Sequence, residues 1–126
     1  MIYETRTYRL KPRSVPEFVS TFGKAYEKRQ SLSKLSAFFV TEIGPLNEVI
    51  HIWPYKDAAE REKKRIKSTQ DKKYSWPPKI GHLLENMQSE TFVPSPMTPT
   101  FAKGNKGPIF EWREYGAIPG KIPEIY

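Results

Sequence analysis

IYETRTYRLKPRSVPEF, from Ile2 to Phe18, is the stretch that decides the fold. Its first half alternates. Ile2, Glu4, Arg6, Tyr8 and Leu10 point one way, and Tyr3, Thr5, Thr7 and Arg9 the other. Such alternation, rich in Tyr, Thr and Ile, reads as a β-strand, because successive side chains of an extended chain lie on opposite faces. Lys11-Pro12-Arg13 ends it. Ser14 and Glu17 then have the spacing of a capping box, with Pro16 in the first turn. Val15, Phe18, Val19, Phe22 and Tyr26 recur at helical spacing, so a helix is expected from Val15 to Arg29.

The chain continues in the same way. Leu35 to Ile43 (LSAFFVTEI) reads as a second strand and Glu48 to Tyr55 (EVIHIWPY) as a third. Gly44-Pro45-Leu46-Asn47 turns between them, which makes a hairpin. On the third strand Ile50 and Ile52 face one side, and Val49, His51 and Trp53 the other. Asp57 and Glu60 form a second capping box, and a helix follows to about Lys67. Its apolar stripe is thin (Ala58, Ala59 and Ile66), which predicts a surface helix with a narrow contact to the sheet. Ser75-Trp76-Pro77-Pro78 breaks the chain. Lys79 to Leu84 adds a helical turn, and Glu85 to Val93 (ENMQSETFV) reads as a weakly apolar fourth strand.

The order β-α-β-β-α-β is that of an α+β, ferredoxin-like module: an antiparallel four-stranded sheet with two helices on one face. The other sheet face needs a cover, and a second copy of the module is the obvious one. The sequence offers a reason to expect it. Ile2, Glu4, Arg6, Tyr8, Pro12, Pro16 and Glu17 recur without a gap as Ile109, Glu111, Arg113, Tyr115, Pro119, Pro123 and Glu124. Background composition would give about one such match over this length. Residues 1–93 are therefore expected to be one module, 94–108 a linker rich in proline with Gly104 and Gly107, and 109–126 the truncated start of a second copy.

Bulk composition narrows the function classes. The formal charge is +7 and there are no cysteines, so disulfide scaffolds, thiol nucleophiles and thiolate metal sites are excluded. No apolar run is long enough to be a transmembrane segment. The opening MIYETRTYRL has neither a secretory h-region nor an Arg/Ser-rich amphipathic helix, so no targeting segment is visible. Much of the charge lies between Lys56 and Lys73, where acids and bases alternate as on a solvated helix. Within it Arg61, Lys63, Lys64, Arg65 and Lys67 make a candidate basic surface for anionic lipid, although on a helix they spread around most of the circumference.

YETRTYRLKP (Tyr3–Pro12), FFVTEIGPLNEVIHIWPY (Phe38–Tyr55) and DAAEREKKR (Asp57–Arg65) resemble the NIPSNAP family. The resemblance covers most of residues 2–93 and again Ile109–Tyr126. It implies a dimeric or pseudo-dimeric α/β barrel, in which two ferredoxin-like sheets pack face to face between chains or between tandem copies. It also implies a protein-interaction module, non-enzymatic, in cytoplasm or mitochondria, linked to vesicle traffic or mitochondrial quality control. Expected partners are a second copy, in trans or in tandem, and other proteins. No catalytic residue set comes with the family.

One constellation could carry chemistry. The helix-covered sheet face should be the more uniformly apolar one, which on the third strand suggests Ile50 and Ile52. Glu4, Arg6, Tyr8, His51 and Trp53 are then expected on the opposite face, as a polar cluster inside a barrel. Two readings stand. Glu4 and Arg6 satisfy each other's charge, with Arg binding a carboxylate bidentately. Alternatively the cluster is a small-molecule or oxidoreductase-type barrel cavity, with Arg6 holding an anion, His51 and Tyr8 donating or carrying protons, and Trp53 as an apolar wall. His51 and His82 are isolated, so no metal is expected, and without a Gly-rich phosphate loop no cofactor is expected. Trp53, Tyr55, Trp76 and Phe101 are too scattered for a nucleic-acid platform.

Overall fold

The computed structural model describes residues 1–99 and 103–126, so Phe101 and the middle of the expected linker lie outside the described residues. The chain divides into two compact units, Met1–Val93 and Pro94–Tyr126. The first contains strands β1 (Ile2–Leu10), β2 (Ala37–Val40), β3 (Glu48–Tyr55) and β4 (Leu84–Phe92), with helices α1 (Val15–Arg29) and α2 (Ala58–Gln70). The strands form one sheet in the order β2-β3-β1-β4, with every neighbouring pair antiparallel. This is the ferredoxin-like arrangement.

Local chemistry accounts for the boundaries. β3 contains Pro54, which cannot donate to a ladder. β2 begins opposite Ile52, so among the described residues Pro54 lies where β3 has β1 alone as strand neighbour. β2 is shorter than its apolar run, because Thr41 to Asn47 turns the chain; Gly44 (φ 130°) and Asn47 (φ 58°) supply the left-handed residues of that turn. The Asn47 carbonyl also accepts from Leu10 N at 2.7 Å, which ties the turn to the end of β1.

The two helices start differently. Asp57 caps α2 by accepting from Glu60 N at 2.8 Å. Glu60 reaches back to the N–H of Lys56, one residue earlier than the usual reciprocal bond. The box expected at α1 is not formed: Ser14 is itself in helical conformation and its side chain caps nothing. Glu17 instead meets His82 Nε2 at 3.1 Å.

The core sits between the sheet and α1. Phe18 is fully buried and Phe22 nearly so. Phe18 meets Tyr8 edge-on at 6.0 Å, and Phe22 lies 5.0 Å from His51 and 6.5 Å from Trp53. Leu10, Val49, Tyr55, Ile80 and Leu83 complete the cluster. Each fully buried Phe contributes about 1.5–3 kcal/mol.

In the second unit Ile122–Ile125 is a short 3₁₀ turn, and Ile109–Tyr115, the repeat of β1, forms no strand. The local pairing is nevertheless reproduced. Arg113 Nε meets Glu111 Oε1 at 2.8 Å, as Arg6 meets Glu4.

Candidate functional site

β1 and β3 set the geometry of the site. Their register places Glu4 opposite Trp53, Arg6 opposite His51 and Tyr8 opposite Val49. Directly opposed residues of an antiparallel pair share a face. Glu4, Arg6, Tyr8, His51 and Trp53 are therefore brought together, on the face that the helices cover and not on the opposite one. Tyr3, Thr5, Thr7, Ile50 and Ile52 occupy the other face. The expectation of a uniformly apolar helix-covered face fails for a physical reason. α1 covers that face with aromatic rings, and α2 covers its polar part with arginines.

Glu4 is the centre of the ionic part and is fully buried. Arg6 Nη1 donates to Glu4 Oε1 at 2.8 Å, Arg61 Nε donates to Oε2, and Ser89 Oγ donates to Oε1 at 3.2 Å. Arg65 Nη1 lies 3.9 Å from Oε1. Burial pushes the Glu4 carboxyl up, but the hydrogen bonds and charges of Arg61 and Arg6 outweigh it and hold the group at about 2. Arg6 also donates from Nε to the Tyr8 phenol at 2.8 Å.

The candidate basic surface is consequently divided. Arg61 and Arg65 turn toward the sheet, Lys64 pairs with Glu60 at 3.1 Å, and Lys63 and Lys67 stay exposed. The inward face of α2 is Arg61, Arg65 and the buried Ser68. Ala58, Ala59 and Ile66, the expected apolar stripe, are exposed.

His51 is the centre of the aromatic part and is 1% exposed. Trp53 Nε1 donates to His51 Nδ1 at 2.8 Å. An indole N–H only donates, so Nδ1 carries the lone pair and the neutral ring bears its proton on Nε2. Burial first, and the Arg6 charge second, push the imidazole down to about 3. His51 is thus a neutral donor at neutral pH.

A cavity of about 350 Å³ opens between these groups. Its polar lining is Arg6, Arg29 and Arg65 with His51, Ser68 and Thr69, and its apolar walls include Phe22, Trp53 and Trp76. Among the described residues no Asp or Glu lines it. Arg29 is the residue the sequence reading missed. It ends α1, is 2% exposed, and lies over the Trp53 and Trp76 rings at 5.1 and 5.3 Å. The signal was present, since Phe18, Phe22 and Arg29 share one helical stripe at spacings of four and seven. A groove along Ala59, Glu62, Lys63 and Ile66 of α2 is larger but mixed in charge. Among the described residues no group of three or more His, Cys, Asp or Glu could hold a metal ion, and no helix is long and apolar enough to cross a membrane.

Sheet order and helix placement define a ferredoxin-like module with a cavity between sheet and helices. The NIPSNAP family pattern matches residues 3–99, and the chain belongs to that family. It is 31% identical over 96 residues to "Protein NipSnap homolog" of Dictyostelium discoideum, covering 74% of this chain and 42% of that protein. It is 33% identical over 101 residues to "Protein NipSnap homolog 1" of Danio rerio, covering 78% and 36%. The chain thus spans well under half the length of these relatives. Among solved structures, it resembles a NIPSNAP family protein of unknown function from Agrobacterium tumefaciens, with a TM-score of 0.72, 34% identity, and 79% and 92% of the two chains covered. An uncharacterized NIPSNAP domain protein from Burkholderia xenovorans gives a TM-score of 0.73 at 28% identity, covering 79% of this chain and all of that one. An antibiotic biosynthesis monooxygenase, at 14% identity and a TM-score of 0.58, shares the fold.

Proposed function

We propose that this NIPSNAP module is a small-molecule binder whose site is the cavity between the sheet and the helices. One observation carries the reading. The cavity combines aromatic walls with a polar lining that has three arginines and no carboxylate. Its volume of about 350 Å³ lies within the range of small-ligand sites. Binding suits the site better than proton transfer, because His51, held at about 3, stays neutral across physiological pH. The test is titration of the 126-residue chain with small aromatic compounds, followed by Trp53 and Trp76 fluorescence and by calorimetry. Saturable binding that Phe22→Trp blocks by filling the cavity supports the reading. Binding indifferent to that substitution, or no binding at all, removes it.

Association is the second reading, favoured by the recurrence of the β1 sequence at Ile109–Tyr115. In it, the sheet face bearing Thr5, Thr7, Ile50 and Ile52 packs on the same face of a second module, as a homodimer or a tandem pair, and closes an α/β barrel. A role as a protein-interaction module in vesicle traffic or mitochondrial quality control, in cytosol or mitochondria, belongs to this reading. Sedimentation of the chain across a hundredfold concentration range tests it. A concentration-dependent dimer supports self-association, and a monomer throughout overturns it.

A further inference from the structure

The cavity's buried polar atoms are unevenly satisfied. Among the described residues, Arg29 Nε and Nη1 have no hydrogen-bond partner, and neither does His51 Nε2. Both residues are at least nine-tenths buried, and both line the cavity. All three atoms are donors. Arg29 never deprotonates in a protein, and the Trp53 bond places the His51 proton on Nε2. A buried donor without an acceptor is unfavourable by about 1–3 kcal/mol, and more when charged. Such groups persist where a ligand supplies the acceptor.

The charge of that acceptor follows from the other arginines. Arg6 is engaged by Glu4 and Tyr8, and Arg65 lies 3.9 Å from Glu4. Among the described residues no carboxylate pairs with Arg29, which is compensated by the Tyr55 and Tyr74 phenols and the faces of Trp53 and Trp76. Glu4 can balance only one of Arg6, Arg61 and Arg65, and Arg29 has no carboxylate, so the cavity keeps an excess of positive charge, and His51 adds a donor without adding charge.

We propose, building on the small-molecule reading above, that the ligand is an anion, a carboxylate or a phosphate ester, with a flat apolar body. Its oxygens take the free N–H groups of Arg29 and His51. Its body lies against Phe22, Trp53 and Trp76.

Calorimetric titration of the 126-residue chain with phenylacetate, phenylacetamide and phenyl phosphate tests this. These probes share a ring and differ in the charge of the head group. The expected result is phenylacetate and phenyl phosphate each binding at least tenfold tighter than phenylacetamide. Arg29→Met should erase the preference for the two anions over phenylacetamide. Equal binding of all three probes overturns the anion assignment while leaving the small-molecule reading intact. Tightest binding by phenyl phosphate supports the anion site and makes its head group the dianion. A preference that survives Arg29→Met shows that Arg29 does not hold the anion and overturns the proposal. Failure of all three probes removes the small-molecule reading and this inference together. The comparison within the wild-type chain keeps the test decisive even if the variant does not fold.

Discussion

Arg6 and Glu4, two residues apart on one strand, meet at 2.8 Å, and Arg61 of α2 takes the other oxygen of the same carboxylate. The carboxylate is fully buried and its two main partners are not, at 15% and 30% exposed. Glu4→Gln keeps the shape and removes the charge that three arginines face. Breaking a buried pair on one side costs about 3–5 kcal/mol, and the partial exposure of the arginines reduces this to about 2–3. Urea unfolding should show a lower midpoint at unchanged slope. A midpoint within error of wild type would mean that the arginines are satisfied by water.

Acid should weaken the protein in two windows. His51 is depressed from 6.5 to about 3, so the unfolded chain takes up its proton first as pH falls. The stability linked to its neutral form is complete above pH 6.5 and is lost progressively down to about 3. Glu4, depressed from 4.5 to about 2, adds a second loss below 4.5. Each pKa unit is worth about 1.4 kcal/mol. Between pH 6.5 and 4.5 the wild type should lose on the order of 2–3 kcal/mol more than His51→Gln, which has no titrating ring. Parallel stability curves for the two proteins across that window would contradict a buried neutral His51.

The helix caps give a contrast of their own. Asp57→Ala removes the acceptor of the Glu60 N–H and should destabilise by about 1 kcal/mol. Ser14→Ala removes no cap and should stay within about 0.5 kcal/mol of wild type. Equal losses at the two positions would show that Ser14 caps α1 in solution.

β1, α1 and β3 are legible in the sequence because each carries one clear period: two for Ile2–Leu10 and Glu48–Tyr55, and the helical repeat for Val15–Arg29. The membership of the polar cluster is legible for the same reason, since alternation puts Glu4, Arg6 and Tyr8 on one face and His51 with Trp53 on one face. The side of the sheet they occupy is not legible. Apolar residues were expected under the helices, but Arg61 and Arg65 stand four apart on α2, a spacing that also describes a solvated charged face. Only the position of Glu4 beneath them turns that stripe inward. Arg29 is hidden similarly, because an arginine in the last turn already has a reading as a partner of the helix dipole.

Packing on the two helices should differ sharply. Phe22→Ala empties a nearly buried ring position in the aromatic cluster and should cost about 3–5 kcal/mol. Ile66→Ala, at a position 46% exposed, should change stability by less than about 0.5 kcal/mol. A large loss at Ile66 would restore the apolar stripe that the sequence suggested for α2.

The cavity is thus bounded by two walls held by different forces. Aromatic burial fixes α1, which added salt leaves in place or tightens slightly. Guanidinium–carboxylate attraction holds α2, through partly exposed arginines that salt screens. Ionic strength therefore acts on one wall and not on the other. Amide exchange in molar chloride should speed up along Arg61–Ser68 while Phe18–Tyr26 stays protected, making α2 the hinged side of an otherwise fixed chamber.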